Sequence, residues 1–130
     1  MNKYNIESRV YYEDTDAGGI VYHANYLKYM ERARTEWVRA LGISQHNLLE
    51  QSLAFVVIDM NIAFKQSARL DDLVQISCEV IHKKRASLVF AQEVKRDDVL
   101  LVKAQVKVAC VNTKYARPIA IPKELLNAID

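Results

Sequence analysis

The chain has 130 residues, 51% of them apolar and 26% charged, with a formal net charge of +2. That length fits one domain, residues 1–130, whose core is large enough to form without disulfides or metal. The charge is too small to argue for nucleic acid or a membrane surface, no apolar run approaches a membrane span, and no apolar signal core opens the chain, so the expected compartment is the cytoplasm.

Residues 5 to 12 alternate, with Ile6, Ser8, Val10 and Tyr12 on one side, which predicts a short strand. A loop follows, Glu13-Asp14-Thr15-Asp16-Ala17-Gly18-Gly19, holding two of the chain's three glycines. From about Ala24 to Leu41 the apolar period lengthens to three or four residues: Tyr26/Leu27, Met30, Ala33, Trp37/Val38, Leu41. This predicts a five-turn helix, ~27 Å long at 1.5 Å per residue. Asn25 is its expected N-cap and Gly42 its left-handed C-terminal cap. Glu31 and Arg34, three apart, are expected to pair. Ser44 to Gln51 reads as a short second helix capped by Ser44.

Beyond Leu53 the chain reads as strands. Val56, Ile58, Met60, Ile62 and Phe64 are expected to share a face, as are Val74, Ile76, Cys78 and Val80. Residues 87 to 96 alternate less cleanly, and Leu100 to Cys110 give the longest alternation, after a turn at Lys95-Arg96-Asp97-Asp98. Pro118 and Pro122 end the sheet, and Lys123 to Ile129 form a terminal helical turn. One apolar face per strand and one long helix imply an α+β fold, an antiparallel sheet wrapped around a central helix. Cys78 and Cys110 fall in strand-like apolar runs and read as buried thiols of a reducing compartment. With no Cys or His pair at metal spacing, no metal is expected.

The chemistry concentrates before the long helix. Asp14 and Asp16 are two apart, so in an extended backbone both carboxylates point the same way, or they form a solvated turn. Gly18-Gly19 allows positive φ and close approach of a ligand to the main chain. The helix opening near His23 to Asn25 offers backbone N–H groups and the positive end of the helix dipole. A carbonyl oxygen held there is polarised as in an oxyanion hole, with Asp16 facing the same carbon. His23 is a catalyst, a cap or a packing residue. His82-Lys83-Lys84-Arg85 is the one basic cluster, read either as a solvated corner or as a phosphate contact.

The run Asp14-Thr15-Asp16-x-x-Gly19-Ile20-Val21-Tyr22-His23-x-Asn25-Tyr26, then Glu31-x-x-Arg34, resembles the signature of the 4-hydroxybenzoyl-CoA thioesterase family of hotdog-fold proteins, in its tol-pal-associated acyl-CoA thioesterase branch. Phe64 to Asp72 is similar to that family's hairpin between its second and third strands. The resemblance implies a five-stranded antiparallel sheet around one helix, subunits paired edge to edge and commonly assembled as dimers of dimers, and active sites at the subunit interface. It places the catalytic aspartate on Asp16, the carbonyl-polarising N–H and a histidine on His23, and a tyrosine on Tyr12. Gly19, Val21 and Asn25 are expected beside the substrate, with Lys84 and Arg85 on the phosphates of coenzyme A. It implies no cofactor apart from the coenzyme A of the substrate. The expected function is hydrolysis of an acyl-CoA thioester in lipid metabolism. The alternative is a non-hydrolytic binding protein for an acyl thioester or an acyl carrier protein, in an envelope or lipid-synthesis assembly. A hydroxyacyl-thioester dehydratase is the third reading.

Overall fold

In the computed structural model, which describes residues 3–129, the chain runs from an outer strand through a loop into a buried helix and then winds a sheet around that helix. The elements are β1 (Lys3–Arg9), a 3-10 turn (Tyr12–Asp14), α1 (Asn25–Ala40), α2 (Gln45–Glu50), β2 (Leu53–Phe64), β3 (Leu73–Lys83), β4 (Ser87–Arg96), β5 (Val99–Asn112), β6 (Arg117–Pro118) and α3 (Lys123–Ala128). All strand pairings are antiparallel, in the order β1-β3-β4-β5-β2, and the two-residue β6, absent from the expected five strands, adds onto β5.

The period of α1 explains why it sits inside the sheet. Tyr26, Tyr29, Met30, Ala33, Trp37 and Val38 recur on one stripe and are all buried. Each large side chain so buried contributes roughly 1.5–3 kcal/mol. Trp37 meets Phe90 of β4 edge to face, with centroids 5.1 Å apart. The helix ends where Gly42 turns left-handed, φ +82°. The Gly42 N–H then donates to Arg39 O (2.9 Å) and the Ile43 N–H to Val38 O (3.3 Å), closing the last carbonyls. The opening differs from expectation: Ala24 is the N-cap, without a side-chain cap, and Asn25 is the first helical residue. Ser44 does cap α2, accepting from the Asn47 N–H.

The strands do not all keep the phase that the sequence pattern predicts. The first strand stops at Arg9, and Tyr12 turns out into solvent, 83% exposed. In β2 the register slips between Val57 and Asp59, a bulge. Leu53 and Phe55 face the core before it, and Met60 and Ile62 after it. Val56 and Ile58 therefore point outward instead of sharing a face with Met60, because the extra residue flips the alternation. Val56, Val57 and Ile58 lie 40%, 46% and 53% exposed on the free edge of the sheet. In β4 the alternation is clean: Leu88, Phe90, Gln92 and Val94 are all buried. It looked irregular because Gln92 is polar on the inward face while Val89 and Ala91 are apolar on the other. Among the described residues, no helix is long and apolar enough to cross a membrane.

Candidate active site

The acidic loop is built as a narrow hairpin neck with a tight tip. Thr15 bridges Val21 across the neck, and Ile20 bridges Arg69 of the β2–β3 connection. At the tip the Asp16 N–H donates to Ile20 O (2.9 Å) and the Gly19 N–H to Asp16 O (3.1 Å). Gly19 makes this turn with φ +77°, a region that excludes most side chains. The Gly18 N–H donates to Asp16 Oδ1 at 2.8 Å and so holds that carboxylate in place.

The two aspartates part company. Asp14 ends the 3-10 turn rather than lying in a strand, and its carboxylate turns inward to 7% exposure. There Oδ2 accepts from the Tyr11 N–H (2.9 Å) and Oδ1 from Asn25 Nδ2 (3.0 Å). Asp16 remains exposed and turns to the other side. The expected convergence of the carboxylates therefore does not occur.

Asp16, Val21, His23, Tyr26, Phe64 and Ser67 line one cavity of about 230 Å³. The near wall is the loop and the opening of α1; the far wall is the end of β2 and the connection after it. The first turn of α1 closes through short-range bonds, Asn25 N–H to Tyr22 O (2.8 Å) and Leu27 N–H to Ala24 O (3.2 Å). The backbone N–H groups of His23 and Ala24 have no acceptor among the described residues. They are the free donors at the positive end of the helix. The His23 ring leans on Tyr22 (4.5 Å between centroids) and meets Phe64 edge-on at 6.2 Å. The far wall is fixed by Tyr26, whose hydroxyl accepts from the Ala68 N–H (2.9 Å) while Ala68 O accepts from the Val21 N–H (2.9 Å). Burial raises the Tyr26 pKa, so it stays a neutral phenol. Arg96 braces the same connection through Asp72 Oδ2, at 2.9 Å.

Other expected site residues lie elsewhere. Asn25 is buried with its amide on Asp14 and does not line the cavity; nor do Gly19 and Tyr12. In the basic cluster, Lys83 Nζ donates to Ile129 O (2.7 Å) and Leu126 O (3.3 Å), tying down the C-terminal helix. Lys84 joins His82 and Lys107 around a separate cleft of about 320 Å³; Arg85 is exposed beside it, its carbonyl accepting from the Ile121 N–H. Arg34 turns from Glu31 to the sheet, donating to Gln92 Oε1. A further, more apolar cleft of about 280 Å³ runs along the later turns of α1, against Phe55, Val57 and Phe90, with Glu31 and Arg34 at its side. The sequence did not single out Ser67 or Lys107 as lining a cleft, nor the inward turn of Asp14; Ser67 lay within the Phe64 to Asp72 run and Asp14 beside a short turn.

One helix wrapped by an antiparallel sheet, with an acidic loop at the helix opening, is the hotdog arrangement of thioester-handling proteins. The chain belongs to the thioesterase superfamily, whose family model matches residues 18–103. It is 50% identical over 125 residues to the acyl-CoA thioesterase YbgC of Haemophilus influenzae, covering 95% of this chain and 92% of the relative. It is 46% identical over 119 residues to the acyl-CoA thioester hydrolase YbgC of Escherichia coli O6:H1, covering 91% and 89%. The crystal structure of a probable thioesterase from Bartonella henselae is similar at a TM-score of 0.87 and 34% identity, over 92% of this chain and 99% of that one.

Proposed function

We propose that this chain hydrolyses acyl-CoA thioesters to a free acid and coenzyme A, with Asp16 as the reacting carboxylate. The observation that carries the proposal is that Asp16 and His23 line one cavity, a carboxylate on the loop and unpaired backbone donors at the helix opening. The names of the relatives from Haemophilus influenzae and Escherichia coli support the substrate class.

The thioester carbonyl oxygen sits against the His23 backbone N–H, where the helix dipole stabilises the charge that develops as the carbon becomes tetrahedral. Asp16 then acts in one of two ways. As a nucleophile, a carboxylate oxygen forms a bond to the carbonyl carbon, the C–S bond breaks, the thiolate leaves, and water hydrolyses the mixed anhydride. As a general base, it takes a proton from water that attacks the carbon directly. The His23 side chain orients that water or protonates the leaving thiolate. Tyr12, on the turn leading into the loop, stands on the solvent side of the site. Val21 contributes an apolar wall, and Gly19 lets the loop tip turn. Lys84 and Arg85 meet the phosphates of coenzyme A. No cofactor is needed.

The assembly we propose is a homo-oligomer built through β2, a dimer or a dimer of dimers. The support is an edge strand with three exposed apolar residues in a row, Val56 to Ile58. Antiparallel pairing of two such edges about their middle sets the Phe55 end of one copy beside the Phe64 end of the other. The reading as a single cytoplasmic domain with a role in lipid metabolism and an acyl carrier protein as alternative donor goes with this proposal.

The test is single-turnover hydrolysis in heavy-oxygen water. Label arriving first in the Asp16 carboxylate supports the nucleophile; label only in the product acid fits the base or an anhydride opened by water at its acyl carbon, and trapping of an acyl group on Asp16 separates those two. Asp16→Ala is expected to lower kcat by about 10²–10⁴-fold. Near-normal thiol release by that variant would sink the assignment. No thiol release by the unaltered chain across aliphatic and aromatic acyl-CoAs would favour the non-hydrolytic binding protein instead.

A further inference from the structure

The loop that carries Asp16 and the His23 N–H meets the first turn of α1 at a buried side-chain contact outside the cavity. Asp14 is the hub. Its carboxylate accepts from the Tyr11 N–H and from Asn25 Nδ2, and its carbonyl accepts from the Tyr22 N–H at 3.0 Å. Residues 15 to 24, with Asp16, both loop glycines and His23, form a closed arch whose feet are Asp14 and Asn25. Both feet are buried, 7% and 8% exposed, while the arch between them carries exposed Asp16 and His23. One turn along α1, the Tyr29 hydroxyl is buried with no hydrogen-bond partner of good geometry. Burial first, and the Asp14 carboxylate next to it, hold its pKa above the usual phenol range, so it keeps its proton. It is a third donor able to rotate toward Asp14.

We propose that the Asp14–Asn25 contact is a positioning clamp that sets the distance between the Asp16 carboxylate and the free N–H groups at the opening of α1. The inference rests on the reading of Asp16 as the reacting group. Asp16 is two residues from one foot and His23 two residues from the other. The hydrogen bonds at the tip fix Asp16 to Gly18 and Ile20, all within the loop. Backbone bonds from Asn25 N–H to Tyr22 O and Tyr26 N–H to His23 O, and the Val21–Ala68–Tyr26 relay, also join loop and helix; the direct side-chain tie between the start of the loop and the first turn is Asp14, whose carboxylate holds Asn25 while its carbonyl holds Tyr22. Loosening the side-chain tie lets the reacting carboxylate drift from the carbonyl it must meet. A drift of about 1 Å can lower the rate about 10²-fold. Asp14 and Asn25 touch no substrate in this scheme; they act through Asp16 and His23.

The chemistry of the pair makes the clamp testable with variants of nearly constant size. Asp14→Asn keeps a hydrogen bond, because the Asn25 amide can turn over and accept. Asn25→Asp sets two carboxylates against each other and breaks it. The double variant Asp14→Asn with Asn25→Asp restores a bond with the donor on the other side. The expected order of kcat is unaltered chain, then Asp14→Asn within about threefold, then the double variant, with Asn25→Asp at least tenfold below the double variant. KM is expected to change less than twofold throughout. Val74→Ala in β3, a buried site far along the chain from the loop, serves as a control for lost stability, with each protein assayed at the same interval below its own Tm. A kcat for Asn25→Asp within twofold of the unaltered chain overturns the clamp, as does a loss equal to that of Val74→Ala or the absence of rescue in the double variant. Should Asn25→Asp fail to fold, Asn25→Ala and Tyr29→Phe read the same arch, and unchanged kcat in both likewise overturns it. Asp16→Ala assayed in parallel separates the two layers: if it stays active the underlying reading fails, whereas if it is inactive and the clamp variants are normal only the clamp fails.

Discussion

Arg34 of α1 donates through Nη1 to Oε1 of Gln92 on β4 at 2.8 Å, in the interior between helix and sheet. Gln92 in turn donates through Nε2 to Met30 O of the same helix (3.0 Å) and to Ser77 O of β3 (3.3 Å). One fully buried amide thus joins the helix to two strands. The arrangement predicts a coupled effect on stability. Gln92→Leu leaves the guanidinium and two carbonyls short of a partner, and is expected to destabilise by about 3 kcal/mol. Arg34→Met alone is expected to be similarly harmful. The double variant should recover part of the loss, since removing both partners strands fewer polar groups. Urea unfolding of all four proteins as a double-mutant cycle gives the coupling directly.

The two loop glycines should fail in different ways. A Cβ at Gly18 would stand 3.3 Å from Asp16 Oδ1, so the carboxylate must yield by a few tenths of an ångström. Gly18→Ala is expected to lower kcat about tenfold while moving stability by less than about 0.5 kcal/mol. Gly19 has open space around it but φ +77°. Gly19→Ala should instead destabilise by about 1–2 kcal/mol, the strain of a left-handed residue with a side chain. Tm and kcat measured side by side distinguish them.

The exposed apolar run on β2 predicts how the proposed assembly comes apart. Ile58 is the bulge residue and 53% exposed. Ile58→Glu is expected to leave the fold intact by far-UV circular dichroism and to reduce the mass in light scattering to that of one chain. Thiol release should fall with it, since the active sites are expected at the subunit interface. A monomer that keeps full activity would contradict that placement.

Burial pushes the Cys78 thiol up to about 12, with Arg34 nearby opposing the shift. In the unfolded chain a thiol ionises near about 8.5. Above that pH the unfolded state releases a proton that the folded state keeps, so the contribution is complete below about pH 8.5 and lost as pH rises toward 12. Stability should therefore fall across that alkaline window, and less steeply in Cys78→Ala. Urea midpoints taken every half pH unit give the comparison.

Much of the fold is written in local pattern. The three-to-four spacing from Tyr26 to Val38, with Gly42 past its end, is enough to specify a buried helix and its stop. The alternations of β3 and β5 specify strands with one covered face, because side-chain direction in helix and strand follows from backbone geometry within a few residues. Asp16, Gly18-Gly19 and His23 marked the candidate site for the same reason: they are close in sequence. Tertiary structure decided everything that depends on a partner far along the chain. It turned Asp14 away from Asp16 because Asn25 waits eleven residues on, and it gave Gln92 an inward place because Arg34 reaches it from fifty-eight residues away. It slipped β2 by one residue at the bulge, so that Val56 and Ile58 face out. A buried polar group must find whatever donor or acceptor packing brings to it, and periodicity in the sequence carries no record of that choice.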